Sequence, residues 1–77
     1  MNKKETPPHL VGVNTRKDRN AAIKAQAGSR KPAAVIYEDP AKGTRQVTIN
    51  RAARKAYGLT IYTPAAEIFR TLGIADR

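Results

Sequence analysis

Large apolar side chains are concentrated in the second half of the chain. Residues 34–77 contain every aromatic residue and most of the Val, Ile and Leu, whereas residues 1–33 offer only Met1, Leu10, Val11, Val13 and Ile23. A segment with so little apolar surface to bury does not offset the entropy that it loses on ordering. We therefore predict a basic, largely flexible N-terminal arm over residues 1–33 and a small folded domain over residues 34–77.

Local signals inside the arm predict one helix. Residues 1–8 contain two prolines and two lysines, and we expect them to be disordered; residues 9–13 either add an edge strand or stay loose. Thr15 and Asp18 have the spacing of a capping box, and Gly28 follows a run rich in Ala, Lys and Gln. These signals predict a helix over residues 16–27. Its apolar positions form no clean stripe, which favours a helix that orders on a partner.

The folded half begins with a predicted β-hairpin. Residues 33–37 form an apolar run rich in β-branched side chains, and residues 38–43 combine acids, proline and glycine in a turn-like segment. In residues 45–49, Val47 and Ile49 alternate with polar neighbours, so the two should point to the same face of the sheet.

Two short helices are expected after the hairpin. Asn50 is a good N-cap for a helix over residues 51–57, with Gly58 as its stop. Thr63 is expected to cap a second helix that begins at Pro64, and residues 65, 68, 69 and 72 share one face before Gly73. The predicted fold class is α+β: a small β-hairpin followed by two short helices, preceded by the basic arm.

A folded part of 44 residues (34–77) is small for an independent domain. We therefore expect a homodimer or a protein that docks on a larger assembly. The alternative is a monomer whose arm contributes an extra strand and helix. If the arm is separate, removing residues 1–33 should leave the fold intact and remove most of the affinity for a partner.

The charge balance points to an anionic partner. Fifteen Lys and Arg stand against six Asp and Glu, a formal net charge of +9, which favours a phosphate backbone through counterion release. The alternatives to a phosphate backbone are an acidic protein surface as the partner, or charge that only maintains solubility. Cysteine is absent and His9 is the only histidine, so we expect no catalytic residues, no metal and no cofactor. No long apolar run opens the chain, so neither a signal peptide nor a membrane span is expected, and we expect a cytoplasmic protein.

Two clusters of basic residues are the candidate nucleic-acid-binding residues. Residues of the first can follow a phosphate backbone, and those of the second share a helix face at i, i+3 and i+4. Either cluster could instead be a solvated helix face. The first cluster is Arg16, Lys17, Arg19, Lys24, Arg30 and Lys31; the second is Arg51, Arg54 and Lys55, with Asn50 at the start of their helix.

Two segments carry resemblances to known families. The run Val47-Thr48-Ile49-Asn50 followed by the basic segment to Leu59 resembles the strand-to-helix element of AbrB-type swapped-hairpin transcription factors, which implies a dimeric DNA binder. It departs from that pattern at Asn50, where the family has proline. Residues 14–26 are similar to the arginine-rich RNA-binding helix of lambdoid phage N antiterminators.

These observations favour a small, non-enzymatic, nucleic-acid-binding regulatory protein. DNA is favoured over RNA, and the size and charge suit a transcription regulator of the phage or plasmid type. The alternative is an adaptor or inhibitor that docks on a large host enzyme, such as RNA polymerase or a nuclease. A third option is a ribosome-associated factor.

Overall fold

A computed structural model describes residues 8–74 of the chain. In these residues three strands and three helices follow one another in the order β1 (His9–Val13), α1 (Arg16–Ala27), β2 (Ala33–Asp39), β3 (Thr44–Ile49), α2 (Arg51–Tyr57) and α3 (Ala65–Leu72). The predicted α+β class is confirmed, and so are the β-hairpin and the two short helices that follow it.

The three strands form one mixed sheet in the order β1-β2-β3. β1 runs parallel to β2, from the pair His9 and Ala33 to the pair Val13 and Tyr37. β3 returns antiparallel to β2 through the turn at residues 40–43, with Asp39 opposite Thr44. The sheet therefore combines a β-α-β unit, whose crossover is α1, with the predicted hairpin.

Over residues 8–33 the structure differs from our expectation of a flexible arm. β1 pairs with β2 and α1 packs against β2, so the described part of the chain contains the alternative arrangement, in which the arm contributes a strand and a helix. The physical reason is a long-range contact: the backbone groups of β1 pair with those of β2, and the apolar content of residues 1–33 does not reveal that partner. Residues 1–7, where we expected disorder, lie outside the described residues.

Helix α1 has the predicted bounds and the predicted cap. The backbone N–H of Asp18 donates to Oγ1 of Thr15 over 3.1 Å, and the chain leaves the helix at Gly28. The half-buried residues Arg19, Ala22, Ile23 and Gln26 lie on one side of the helix, and Ile23 lines a groove together with Val35 of β2. The helix therefore packs on the sheet of its own chain.

Helices cover both faces of the sheet. Ala34, Ile49, Ala53 and Ile68 form one buried cluster, with Val47, Tyr57, Leu59 and Leu72 packed against it, so α2 and α3 lie on the face opposite α1. The central strand is consequently buried on both sides, which explains why Ala33 to Tyr37 are five consecutive buried residues. Val47 and Ile49 share this core, as their alternation predicts.

The caps of the two C-terminal helices agree with the predictions in all but one case. Asn50 caps α2, and Gly58 and Gly73 end α2 and α3 in the left-handed conformation, at φ 69° and 72°. The prediction that Thr63 caps α3 is wrong, because Pro64 occupies the N-cap position. The Thr63 side chain instead accepts a hydrogen bond from the backbone N–H of Thr60 over 2.9 Å.

Two further expectations change once the fold is known. The swapped-hairpin architecture that the AbrB resemblance implies is not found, because β3 pairs with β2 of the same chain and Leu59 leads through a turn to α3. The argument for assembly assumed a core built from residues 34–77 alone, whereas β1 and α1 add to it. A homodimer stays a prediction. Among residues 8–74, no helix has the length and apolar character needed to cross a membrane.

Candidate nucleic-acid interface

Asn50 is the most constrained polar residue of the predicted binding set. Its side chain is buried, with 8 % of its surface exposed. Its Oδ1 accepts from the backbone N–H of Ala53 (2.9 Å) and of Ala33 (3.0 Å), and its Nδ2 donates to the carbonyl oxygens of Gln26 (3.1 Å) and Lys31 (2.9 Å). A side-chain amide has two donors and two acceptor lone pairs, so Asn50 has no free valence for a nucleic acid.

The four hydrogen bonds of Asn50 join four segments at one end of the sheet. Gln26 lies in the last turn of α1, Lys31 in the connection to β2, Ala33 at the start of β2, and Ala53 in the first turn of α2. The role that we predicted for Asn50 at an interface is therefore replaced by a structural one. By fixing these segments to one another, Asn50 brings Arg30 and Lys31, the last residues of the first basic cluster, close to the second cluster.

A shallow groove of about 640 Å³ lies where these segments meet. Exposed side chains of Arg30, Arg51 and Lys55 line it, and the exposed Lys31 neighbours Arg30 in the same connection. Among the described residues that line this groove, none is acidic. The remaining lining residues are small or apolar: Ala27, Gly28, Ser29, Pro32, Ala52 and Ala56.

Arg54 extends this basic surface around the end of β3. Its Nη1 donates to the carbonyl oxygen of Ile49 over 3.1 Å, which holds the half-buried side chain beside the edge strand. Arg54 and Arg51 both line a second groove of about 240 Å³, and Arg54 also lines a third groove of about 280 Å³.

The three grooves share lining residues and so lie side by side, and we refer to this succession of grooves as the path. Ala27 and Arg51 line both the first and the second groove, while Thr48, Ile49 and Arg54 line both the second and the third. We call the cations along this path, Arg30, Arg51, Arg54 and Lys55, the basic track.

The fold places the cations of α1 in different surroundings. Lys17 and Lys24 are exposed on the outer side of the helix, and Lys24 lies in the last turn, near the basic track. Arg16 is also exposed, but it begins the helix at the opposite end, roughly 18 Å away for a helix of this length. Arg19 turns inward: its guanidinium lies 5.4 Å from the Tyr37 ring centroid.

The acidic residues of the sheet lie away from the basic track. Glu38 and Asp39 end β2, whereas Ala33, which Asn50 holds, begins it. A seven-residue strand separates its ends by about 20 Å. Asp18, in the first turn of α1, lies at the same end as Asp39, because α1 runs antiparallel to β2 in the β-α-β unit. The sheet is therefore flanked by acids at one end and by the basic track at the other.

The turn between α2 and α3 presents two large apolar side chains that our sequence prediction did not include. Ile61 is 72 % exposed and Tyr62 is 85 % exposed. Hydrogen bonds between Thr60 and Thr63 close this turn, and Oγ1 of Thr60 also accepts from the backbone N–H of Tyr62 over 3.1 Å. The two flanking threonines were the only sequence signal for it. Thr60, Ile61 and Thr63 line the third groove, so the turn stands at one end of the path.

Comparison with family models, with curated proteins and with solved structures found no match to this chain. Within residues 8–74, no group of three or more His, Cys, Asp or Glu side chains is placed to hold a metal ion.

Proposed function

We propose that this chain is a small nucleic-acid-binding protein that contacts the phosphate backbone through the basic track. The observation that carries the proposal is the meeting of two sequence-distant sets of cations, Arg30 with Arg51 and Lys55, around one groove without an acidic lining residue. Cations at this density lower the potential energy of a polyanion, and they release its condensed counterions on binding.

The geometry supports backbone contact more strongly than base recognition. Arg51 and Lys55 are four residues apart on α2, so their exposed side chains lie on one side of a short helix. Arg54, which we predicted to share their face, is held against Ile49. Two long, exposed side chains on one helical turn suit phosphates, which demand charge rather than a fixed donor pattern. We retain DNA as the favoured nucleic acid, and a regulatory role would follow from occupancy of DNA.

Salt dependence of binding tests the proposal. The full chain is titrated into a fluorescently labelled oligonucleotide at several salt concentrations, and affinity is measured by anisotropy. The double variant Arg51→Gln/Lys55→Gln should lower the salt slope by about 1.5 units, since each phosphate contact contributes about 0.7 to 0.9. At roughly 0.1 M salt this corresponds to an association constant about 30-fold lower, because log K is linear in log salt concentration.

A charge-matched control distinguishes the effect of the groove residues on affinity from the effect of the net charge. The double variant Lys42→Gln/Arg70→Gln removes one lysine and one arginine, as the test variant does, from exposed positions that do not line the grooves. It should retain an affinity within about threefold of the unmodified chain. Equal losses in the two double variants would mean that only the net charge matters, and the proposed interface would be rejected.

An adaptor or inhibitor that docks on an acidic protein surface is the second candidate. The exposed pair Ile61 and Tyr62 favours it, because large apolar side chains next to arginine are typical anchors of protein interfaces. A partner that stays bound to the tagged chain after nuclease treatment, and that charge loss at Arg51 releases, would support this candidate.

A further inference from the structure

We infer that the nucleic acid held by the basic track is single-stranded where it reaches the α2–α3 turn, and that an unpaired base stacks on Tyr62. This inference rests on the proposed function and specifies its substrate class. It combines three features of the described residues: an aromatic ring in solvent, a hydrogen-bonded turn that carries it, and a row of cations that reaches the groove beside that turn.

The exposure of Tyr62 is an exception among the aromatic residues. Phe69 and Tyr37 are buried, with 3 % and 8 % of their surfaces exposed, and Tyr57 packs against the core. Tyr62 alone of the four is placed outside the core, at 85 % exposure. Small domains need their aromatic side chains for burial, so an aromatic residue kept in water is more consistent with binding than with folding.

Hydrogen bonds close the backbone turn that carries Tyr62. The N–H of Thr60 donates to Oγ1 of Thr63 over 2.9 Å, and the N–H of Thr63 donates to the carbonyl oxygen of Thr60 over 3.2 Å. The N–H of Tyr62 donates to Oγ1 of Thr60. A hydrogen-bonded turn lowers the entropy that ordering the contact would cost, because fewer backbone torsions have to be fixed on binding.

The lining of the groove beside the turn suits a nucleotide better than a purely apolar partner. Apolar side chains of Val47, Ile49, Ile61 and Ile68 share its lining with hydroxyl groups of Thr48, Thr60 and Thr63, and Arg54 is its only charged lining residue in the described part of the chain. Arg54 also belongs to the groove that contains Arg51. A backbone that follows these cations therefore reaches the turn that carries Tyr62, which contributes Thr60, Ile61 and Thr63 to the groove while the Tyr62 ring itself lies outside the lining.

Single strands are favoured over duplexes because stacking needs a free base face. Proteins that bind single-stranded nucleic acid combine a cationic groove for the backbone with aromatic rings for the bases, and each stacked base contributes about 1–3 kcal/mol. In a regular duplex both faces of every internal base are already stacked on neighbouring bases, so Tyr62 would have no partner there.

The test compares Tyr62→Ala with Tyr62→Phe in the full chain. Anisotropy is measured with an oligothymidine of about 12 nucleotides and with a duplex of the same length. Tyr62→Ala should weaken binding of the single strand about 5- to 150-fold, the equivalent of one stacked base, while Tyr62→Phe stays within about twofold because the ring is retained. Duplex affinity should not change, and the salt slope of Tyr62→Ala should equal that of the unmodified chain because no cation is removed.

A spectroscopic measurement gives an independent readout. The chain contains no tryptophan, so Tyr62→Trp introduces a single reporter at the proposed contact, and stacking should quench its emission when oligothymidine is added. If oligothymidine binds with full salt dependence but Tyr62→Ala binds as tightly as the unmodified chain, the stacking inference is overturned and the proposed function survives.

The other outcomes are equally decisive. If neither oligothymidine nor duplex binds to the unmodified chain at low salt, the proposed function itself fails. If the tryptophan emission shifts only with a protein partner, that result overturns the inference and assigns the turn to a protein interface.

Discussion

Replacing Asn50 by alanine should destabilise the fold far more than the loss of an ordinary helix cap. The substitution removes four hydrogen bonds at once and leaves the N–H groups of Ala33 and Ala53 without their partner inside the structure. The carbonyl oxygens of Gln26 and Lys31 lose a donor as well. Because Asn50 connects α1, β2 and α2, the damage is not confined to one element.

The magnitude follows from how deeply each hydrogen bond is buried. The two bonds to Oδ1 are buried, and an unsatisfied buried donor costs about 1–3 kcal/mol, of which we take about 1.5 for each. The two bonds from Nδ2 are only partly buried, so water can replace them and each contributes about 0.5 kcal/mol. The expected total is about 4 kcal/mol. Small domains are stable by only about 5–15 kcal/mol, so the expected loss is between about a quarter and four fifths of the total stability.

The assay is urea denaturation followed by circular dichroism, with Thr15→Ala as the control. Thr15 also caps a helix, but it is exposed and accepts one hydrogen bond, from Asp18, so its loss should cost about 1 kcal/mol. With an m-value near 1 kcal/mol per molar for a small domain, the midpoint should fall by about 4 M for Asn50→Ala and by about 1 M for Thr15→Ala.

Asn50→Ser provides an intermediate step, because a serine oxygen can still cap Ala53 but does not reach the other three groups together. It should fall between the unmodified chain and Asn50→Ala. An Asn50→Ala variant that loses no more stability than Thr15→Ala would refute the reasoning, since the connection between the three elements would then contribute nothing.

Two further changes test the backbone and the organisation of the fold. Gly58→Ala should lower the free energy of unfolding by about 1–2 kcal/mol, because Gly58 has a φ of 69° and side chains disfavour that conformation. Gly28→Ala is the control, because Gly28 has a φ of −93° and open space where a Cβ would lie. It should leave the free energy of unfolding almost unchanged in the same denaturation assay. Removal of residues 1–33 should abolish the cooperative unfolding transition, since it strips β1 and α1 from the central strand. A truncated chain with a full native circular-dichroism spectrum would instead support the arm that the sequence predicts.

Signals confined to a few neighbouring residues were sufficient for most of the secondary structure. Thr15, Asp18 and Gly28 define α1, and Asn50 and Gly58 define α2, because a cap is a contact between residues close in sequence. The alternation of Val47 and Ile49 likewise predicted their shared core position. Each of these features depends on local chemistry alone.

Features that depend on distant contacts were not predictable in the same way. An edge strand over residues 9–13 was one of two expectations, but the sequence did not decide between them, because the parallel pairing with β2 depends on a backbone partner more than twenty residues away. The capping role of Asn50 was predicted, but its bonds to Gln26 and Lys31 arise only when α1 packs beside α2. The exposure of Tyr62 could not be inferred from residue type, since tyrosine is intermediate between the buried and the exposed residue types.

The residues of α2 and its N-cap have different roles, and this difference determines how a loss of binding should be interpreted. Arg51 and Lys55 are exposed and line the groove, whereas Asn50 is buried beneath them. A variant at Arg51 should therefore lose affinity at full stability, while Asn50→Ala should lose affinity only in proportion to the fraction of unfolded chain. Measured under conditions in which Asn50→Ala is fully folded, its dissociation constant for the oligonucleotide should agree with that of the unmodified chain within about twofold. A folded Asn50→Ala variant with a large loss of affinity would contradict this expectation and show that binding requires the amide itself, either as a contact of the ligand or to hold Arg30 close to Arg51.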